Sequence, residues 1–423
     1  MTYQEALEYI HTRPRFTPER ASDRMEQLLG KLGHPERELS FVHVTGTNGK
    51  GSVSAMLAGM LRASGQKTGL FISPYILEFR ERMQINGEMI PESDLARLTG
   101  KVRPAVEAME QEGCPVNEFM TVTAIGMLWF WEQRCDIVVL EVGIGGFHDA
   151  TNCIPAPRLS VIMGIGLDHT AILGGTIEEI ARDKSGIIKG NPAVLYPEQD
   201  ERAAAVIMER CAETGSTLTV PSLATLSIQS EDFSGTVFTY GGTSYTLPLI
   251  GRYQVKNAVT AITGAQILGI PERAVREGLL YVHFPVRLEA VHKNPTVLLD
   301  GAHNVHGMTA LRDSILPLKG DRKLTAVVGM MRDKDFADAL AVIAPVCDRM
   351  VTVTVDYPRT AQAEEIAAAA APYCGDITAF DDWREGLDYG MKKAGEEDGL
   401  MICCGSLFLA ADARHYFADF LTQ

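Results

Sequence analysis

A glycine-rich stretch at residues 43–52, HVTGTNGKGS, combines the residue types that bind phosphate. Glycines let a backbone approach an anion closely, Lys50 can reach the outer phosphates of a nucleotide, and the Ser52 hydroxyl can bind Mg²⁺. The stretch departs from the pattern G-x-x-x-x-G-K-[ST], because Val44 stands at the first glycine position and Gly51 follows the lysine. A glycine-rich turn with an exposed lysine is the alternative. A predicted strand before the stretch and a predicted helix after it favour phosphate binding.

Candidate metal ligands follow further along the chain. Glu141 ends the apolar segment IVVLE, and carboxyl ends of parallel strands are where open α/β sheets bind ligands. Asp168 and His169 stand in GLDHT, where Asp168 is the better Mg²⁺ ligand by its oxygen chemistry and a helix-capping Asp-His pair is the alternative. Lys184, in ARDKSGI, reads from its spacing alone as an ordinary helix lysine.

Further polar residues could contact a nucleotide. Asn257, in GRYQVKNA, could hydrogen-bond an adenine edge or be a structural amide near a helix start. Arg287, in FPVRLE, has the planar fork that binds phosphate, although an exposed arginine at a domain junction is the alternative. Asp300 and His303 lie in VLLDGAHN, just past a predicted strand, where Asp300 could face a ribose.

The elements that must position these residues alternate between strand and helix, which predicts βαβ units and a mostly parallel sheet. Residues 216–250 are rich in Thr, Ser, Val and Tyr and predict a small antiparallel sheet appended to the first domain. A second β/α series begins near residue 296. We therefore predict an α/β protein with a P-loop-type domain over residues 1–285 and a smaller Rossmann-like domain over residues 286–423. Predicted strands of the first domain are 39–45, 67–73, 136–143 and 159–166, and its predicted helices are 50–64, 92–110, 118–134, 254–269 and 271–280.

Composition limits the class of protein. The 423 residues are 46% hydrophobic and 22% charged, with a net charge of -15, which argues against nonspecific nucleic-acid binding. No run approaches the roughly 20 apolar residues of a membrane span. The eight cysteines form no C-x-x-C pair, and the first residues have no apolar signal-peptide region. We expect a cytoplasmic protein with no membrane or nucleic-acid partner.

Longer motifs carry a resemblance to a known family. TGTNGKGS resembles the phosphate loop of the Mur ligase superfamily, whose members form amide bonds with ATP. LEVGIGGFHDATN, LDHTAILGGTIEEIARDKSGI, GRYQVKNA and LLDGAHN follow in the order found in folylpolyglutamate synthase and dihydrofolate synthase. The resemblance implies an enzyme that adds L-glutamate to a folate, and to dihydropteroate, through an acyl phosphate, giving ADP and phosphate. It also implies ATP, one or two Mg²⁺ ions and a carbamylated Lys184 that acts as a metal ligand.

The resemblance assigns a role to each candidate residue. The implied nucleotide-binding residues are Thr47, Asn48, Gly49, Lys50, Gly51, Ser52, Asn257, Arg287 and Asp300. The implied metal ligands are Ser52, Glu141, His169 and Lys184. Asp168 stays a candidate for a residue that contacts these ligands and not the metal itself. Catalytic roles fall on Lys50, Lys184 and His303, and substrate contacts on Ser73, Pro74, Arg82, His303 and Ser406.

The chain also departs from the family pattern. Tyr75 replaces a histidine, Phe147 an arginine, Met120 an acid and Val286 a glycine. The first three changes concern recognition of the acceptor and leave the phosphate loop untouched. Another Mur-type ligase with a different carboxylate acceptor is one alternative, and a P-loop phosphotransferase is an alternative of a different class. We expect a monomer from the resemblance.

Overall fold

The computed structural model describes residues 1–14, 21–332 and 336–418. Its contacts divide the chain into two compact units, and the chain crosses from one to the other three times. Unit 1 is Met1–Thr225 with Lys256–Val282, and unit 2 is Leu226–Val255 with His283–Gln423.

Unit 1 is built on a sheet with the strand order β4-β3-β2-β5-β1-β6-β7-β8. Strands β3 and β4 pair antiparallel at one edge, and the other strands are parallel. The central strands are buried along their whole length, as near-continuous apolar runs in a parallel sheet should be. In chain order, β1–β8 are Phe41–Thr45, Thr68–Phe71, Met83–Ile85, Glu88–Met89, Ile137–Glu141, Leu159–Ile162, Ala193–Leu195 and Leu218–Thr219.

Helices cover this sheet. Helix α3, which follows the phosphate loop, packs closely on α10, where a Cβ on Gly59 would lie 2.8 Å from the carbonyl oxygen of Gly278. Helix α9 begins in unit 2 and continues in unit 1. In chain order, α1–α10 are Tyr3–His11, Ala21–Lys31, Lys50–Ala63, Glu92–Gln111, Glu118–Glu132, Thr170–Leu173, Ile177–Ser185, Glu201–Thr214, Arg252–Ile267 and Glu272–Leu280. Short 3-10 helices are Pro35–Glu38, Phe79–Arg82, Ala150–Cys153, Leu223–Thr225 and, in unit 2, Ala344–Val346.

Unit 2 contains two sheets. The smaller one is antiparallel, with strands β9 (Ser227–Asp232), β10 (Gly235–Tyr240) and β11 (Thr243–Leu247) in the order β11-β10-β9. The larger has the order β12-β13-β17-β14-β15-β16, in which only the β12 pairing is antiparallel among the residues described. Strands β12–β17 are Arg287–Lys293, Thr296–Asp300, Leu324–Val328, Arg349–Val353, Ile377–Phe380 and Leu400–Cys404. Helices α11–α15 are Val305–Lys319, Phe336–Ile343, Ala363–Ala370, Trp383–Glu396 and Leu407–Tyr416.

The predicted fold class is confirmed, and the contacts add one difference. The small antiparallel sheet groups with unit 2, whereas its position in the sequence predicts that it belongs to the first domain. Phe233 packs against the core of unit 2 and the Arg322 guanidinium lies 5.1 Å from its ring centre, which explains the grouping. The domain boundary at 285/286 stays a prediction. In the described part of the chain, no helix has the length and apolar character needed to cross a bilayer.

Candidate active site

The phosphate loop joins the end of β1 to the start of α3, and its glycines allow close backbone packing. A Cβ on Gly46 would lie 2.5 Å from the Met163 Cβ. Gly49 has φ +85° and precedes the first turn of α3, and its Cβ would lie 2.9 Å from Asn257 Oδ1. The predicted nucleotide residue Asn257 is therefore buried against this loop. Only glycine fits at these positions without displacing a neighbour.

The rest of the loop is fixed by hydrogen bonds to the segment after β6. Thr47 donates its backbone N–H to the Gly164 carbonyl at 2.8 Å and its hydroxyl to the Gly166 carbonyl at 3.0 Å. Asn48 follows Thr47 in the loop, and Gly51 lies in the first turn of α3. The N–H groups of that first turn lack partners within the helix, so the loop has the form of an anion-binding site.

Two lysine ammonium groups converge at one carbonyl of this loop. Lys50 Nζ donates to the Gly46 oxygen at 3.1 Å and to the Thr47 oxygen at 3.3 Å. Lys184 Nζ donates to the same Gly46 oxygen at 2.9 Å, although these two lysines are 134 positions apart. Burial first, and the charge of Lys50 second, lower the pKa of Lys184 to about 7. The structure thus brings together two of the predicted catalytic residues.

The predicted metal ligands are only partly assembled. Glu141 is buried at the end of β5 and accepts a hydrogen bond from the Ser73 backbone N–H at 3.1 Å, and Ser52 is buried in the first turn of α3. His169 is exposed with φ 51°, and its backbone N–H donates to Asp168 Oδ1 at 2.8 Å. Across the ranges described, no three His, Cys, Asp or Glu side chains converge as a metal site would require. A carboxylate and a hydroxyl fit Mg²⁺ that takes its other ligands from phosphate and water.

The glycine-rich loop after β5 is anchored beside Lys184. Phe147 donates its N–H to the Asp183 carbonyl at 2.8 Å, and a Cβ on Gly146 would lie 2.7 Å from the Lys184 carbonyl oxygen. The buried Asp149 carboxylate accepts hydrogen bonds from Ile144 N–H at 3.0 Å and from the Thr151 hydroxyl at 2.6 Å. Burial raises the pKa of Asp149, and these hydrogen bonds oppose that shift.

The predicted substrate residues Ser73, Pro74 and Arg82 lie near the antiparallel edge of the same sheet. Ser73 is tied to the candidate metal ligand Glu141, as described above, and Pro74 follows it through a cis peptide bond. The Arg82 guanidinium lies 5.1 Å from the ring centre of Tyr75. The tyrosine that departs from the family pattern is therefore part of the surroundings of a predicted substrate residue.

In unit 2, the Asp300 carboxylate accepts three hydrogen bonds. Its Oδ2 accepts from Leu288 N–H at 2.8 Å and from the Tyr253 hydroxyl at 3.4 Å, and its Oδ1 accepts from Ala302 N–H at 2.7 Å. Burial raises the pKa of Asp300, and the nearby Arg287 charge opposes that shift. The Asp300 carboxylate therefore fixes the backbone directly after the predicted ligand Arg287 and directly before His303.

The loops that carry His303 and Ser406 are adjacent. Gly405 N–H donates to the Ala302 carbonyl at 2.8 Å. The His303 Nδ1 lies 2.9 Å from the Gly301 carbonyl, so this nitrogen carries the proton in that contact. The Ser406 hydroxyl accepts from Phe408 N–H at 3.0 Å and caps α15. The structure thus brings these two predicted substrate residues to one edge of the unit 2 sheet.

Sequence reasoning missed several buried polar residues that support the site. His43 Nε2 lies 2.9 Å from the Thr151 hydroxyl, which in turn donates to Asp149. Tyr253 contacts Asp300. Asp149 and Tyr253 stand inside motifs that the family resemblance is based on, GGFHDATN and GRYQVKNA, and that placement was a usable signal. The sequence around His43 contains no such signal, because His43 is one residue within a predicted buried strand.

Comparison with known proteins matches two domain families to this chain. The Mur ligase middle domain matches residues 115–265, and the Mur ligase glutamate ligase domain matches residues 286–407. These ranges contain Glu141, His169 and Lys184 in the first case and Arg287, Asp300 and His303 in the second.

Relatives match over nearly the whole length. A folylpolyglutamate synthase from Lacticaseibacillus casei is 34% identical, with 98% of each chain covered. A dihydrofolate synthase/folylpolyglutamate synthase from Bacillus subtilis is 33% identical, with 97% of this chain and 98% of the relative covered. The crystal structure of the Mycobacterium tuberculosis folylpolyglutamate synthase complexed with ADP and AMPPCP superimposes with a TM-score of 0.89 at 28% identity, covering 98% of each chain.

These matches confirm the predicted family and the predicted class of enzyme, an ATP-dependent ligase that joins glutamate to folate. They do not favour the two alternatives, a Mur-type ligase with a different acceptor and a phosphotransferase. The chain belongs to the folylpolyglutamate synthase and dihydrofolate synthase family of the Mur ligases.

Proposed function

We propose that this chain transfers the γ-phosphoryl group of ATP to the side-chain carboxylate of a folate and joins the resulting acyl phosphate to the amine of L-glutamate. The products are the extended folate, ADP and phosphate. The observation that carries the proposal is the convergence of Lys50 and Lys184 at the Gly46 carbonyl, within a glycine loop that opens a helix. Dihydropteroate is the second acceptor that we propose, supported by the double name of the Bacillus subtilis relative.

The phosphate loop supplies positioning and charge neutralisation. Backbone N–H groups of Gly49 and Gly51 would bind the phosphates, and Lys50 would turn from the Gly46 carbonyl to an outer phosphate oxygen. Thr47 and Asn48, whose N–H groups donate to the Gly164 carbonyl, would hold the loop in shape around the nucleotide. Little covalent chemistry falls to the protein in phosphoryl transfer, so the barrier is lowered mainly by orientation and by cations. Asn257 would contact the adenine from its place beside Gly49.

Ser52, Glu141 and His169 are the residues that we propose to hold Mg²⁺, and a carbamylated Lys184 completes the set. When bound, Mg²⁺ neutralises phosphate charge. Carbamylation joins a neutral amine to CO₂ and releases a proton, which leaves a carbamate anion on the lysine. Burial lowers the pKa of Lys184 to about 7, so the amine is neutral in a large fraction of the protein molecules at cellular pH. A neutral amine is the form that reacts with CO₂, which supports the modification.

Residues of unit 2 also have proposed roles. Arg287 would bind a phosphate and Asp300 the ribose of the nucleotide. His303 directs its Nδ1 proton to the Gly301 carbonyl, and in the neutral tautomer its Nε2 would accept a proton from the glutamate ammonium group. Ser406 would orient the incoming glutamate.

One assay tests the function. The protein is incubated with Mg-ATP, L-glutamate and either tetrahydrofolate or dihydropteroate, and the products are identified by mass. Phosphate release that needs both the acceptor and glutamate, with a product one glutamyl residue heavier, is the expected result. A phosphorylated acceptor that persists with glutamate present would point to a phosphotransferase.

The cellular setting completes the proposal. The cysteines of the described residues are free thiols, which suits a reducing cytoplasm. The net charge of -15 argues against nucleic acid as a partner. We also propose a monomer, for which sedimentation equilibrium should give a mass near 46.1 kDa.

A further inference from the structure

The Arg82 side chain is partly buried, and no carboxylate lies within ion-pair distance of it among the residues that the structure describes. Arg82 ends the 3-10 helix Phe79–Arg82, and its guanidinium lies 5.1 Å from the ring centre of Tyr75 and 5.5 Å from that of Phe79. Its Nε atom is buried and has no hydrogen-bond partner within the described ranges. We call Tyr75, Phe79 and Arg82 the Arg82 cluster. Both rings lie within cation–π distance of the guanidinium.

The carboxylates that act on Arg82 are engaged elsewhere. Glu118 lies 3.5 Å from His11 Nδ1, and Glu141 accepts the Ser73 N–H. Both carboxylates are near enough to raise the pKa of Arg82, yet burial outweighs them and lowers it. A partly desolvated cation with no counter-ion within ion-pair distance in the described part of the chain is costly, and a ligand that brings an anion would offset that cost.

We propose that Arg82 binds the α-carboxylate of the acceptor's terminal glutamate, the carboxylate that is not activated. This inference rests on the proposed function, and it adds a specificity residue for the folate acceptor. Ser73 donates its N–H to Glu141 and lies two positions before Tyr75, so the Arg82 cluster is connected to the sheet end that carries this candidate metal ligand.

Two arguments separate this carboxylate from the reacting one. The reacting γ-carboxylate must attack the phosphoryl group at the phosphate loop, and a guanidinium paired to it would stabilise its charge and weaken it as a nucleophile. The α-carboxylate keeps its charge throughout the reaction and gains from a permanent cation. Dihydropteroate has only the reacting carboxylate, so Arg82 should contribute to the use of folates and little to the use of dihydropteroate.

The pairing of Arg82 with the α-carboxylate is tested by changing each partner separately and then both together. The substrate pair is tetrahydrofolate and tetrahydropteroyl-γ-aminobutyrate, which keeps the γ-carboxylate and lacks the α-carboxylate. The enzyme pair is the wild type and Arg82→Gln, with Arg80→Gln as the matched control, because Arg80 pairs with Glu78 and lies two positions away. We expect R82Q to lower kcat/KM about 100-fold for tetrahydrofolate and at most about threefold for the aminobutyrate analogue, with R80Q unchanged for both.

Equal losses on the two acceptors, or no loss on either, would overturn the inference. If R82Q shows no cooperative thermal transition, the wild type alone decides, because it should use the analogue about 100-fold less well than tetrahydrofolate, and equal use contradicts the pairing. Wild-type enzyme that releases no phosphate with tetrahydrofolate and glutamate would contradict the proposed function itself. If the wild type turns over and R82Q loses the same factor in kcat/KM on both acceptors, only the role of Arg82 is contradicted.

Discussion

The two units hold the charged side chains of the candidate site in different ways. In unit 1 the Lys50 and Lys184 ammonium groups both donate to the Gly46 carbonyl, a neutral oxygen. In unit 2 the Asp300 carboxylate accepts hydrogen bonds from two backbone N–H groups and from the Tyr253 hydroxyl.

The difference separates residues available to a ligand from residues that hold the protein together. A carbonyl is a weaker partner for an ammonium group than a phosphate oxygen is, so Lys50 can exchange the Gly46 carbonyl for a phosphate oxygen at low cost. The carboxylate of Asp300 already accepts hydrogen bonds from two loops, so its proposed contact with the ribose would come in addition to a structural role. We therefore expect changes in unit 1 cations to affect activity first and changes at Asp300 to affect stability first.

The largest effect should come from Lys50→Ala. We expect kcat to fall about 1000-fold, because the cation that meets the outer phosphates is removed, with a thermal midpoint within about 2 °C of wild type. Steady-state phosphate release and thermal unfolding measure the two quantities. Lys101→Ala, which removes a surface ammonium paired with Glu132, is the control and should change neither. A K50A protein that loses stability and keeps its activity would contradict the comparison.

Gly49→Ala should lower kcat/KM for ATP about 100-fold. The new Cβ meets Asn257 Oδ1 at 2.9 Å, and φ +85° is unfavourable for alanine, so the loop must shift away from the phosphate. Titration of ATP in the ligase assay checks this. Gly100→Ala, in helix α4 with open space around its Cβ, should be neutral or stabilise the protein by about 0.5 kcal/mol. Equal behaviour of the two variants would rule out the steric argument.

Asp300→Asn should destabilise the substrate-free protein by about 2 kcal/mol, because the amide group of asparagine faces an N–H donor that has lost its acceptor. The expected readout is a lower thermal midpoint without ligands. Asp313→Asn, in the exposed pair with Arg312, should leave the midpoint unchanged. Lost activity at an unchanged midpoint would show that Asp300 acts on the nucleotide and not on the loops of unit 2.

The smallest effect concerns a buried residue of unit 1. Burial lowers the pKa of His43 from 6.5 to about 3, so the folded protein keeps this ring neutral while the unfolded chain protonates it below pH 6.5. The contribution of His43 is therefore complete above pH 6.5 and is lost as the pH falls towards 3, by about 1 kcal/mol per pH unit.

His43→Asn keeps a hydrogen-bonding group beside Thr151 and removes this titration. The difference in unfolding free energy between wild type and H43N should shrink between pH 7 and pH 5, measured by urea denaturation. Parallel pH dependences for the two proteins would show that His43 is not neutral in the folded state.

Much of unit 1 could be predicted from the sequence because local patterns determine it. The buried strands β1 and β5 are unbroken apolar runs, and the glycines with Lys50 mark the loop between β1 and α3. Strands β3 and β4 were missed because they are short and partly polar.

Contacts between distant parts of the chain could not be predicted in this way. The His43 contact with Thr151 spans 108 positions, and the Lys184 contact with Gly46 spans 138. The sequences around His43 and Lys184 contain no local pattern that predicts which distant residue each one contacts. The grouping of the small antiparallel sheet with unit 2 depends on Phe233 in the same manner, since an aromatic residue in a turn does not reveal which core it joins.

The order of segments along the chain has a consequence for biosynthesis. Unit 1 includes Lys256–Val282, and α10 in that segment packs on α3 through Gly278 and Gly59. A ribosome must therefore complete the small antiparallel sheet of the other unit before the nucleotide-binding unit has its last helix. Fragments that end near residue 225 should expose the α3 surface that α10 covers, and we expect them to need a chaperone or to aggregate.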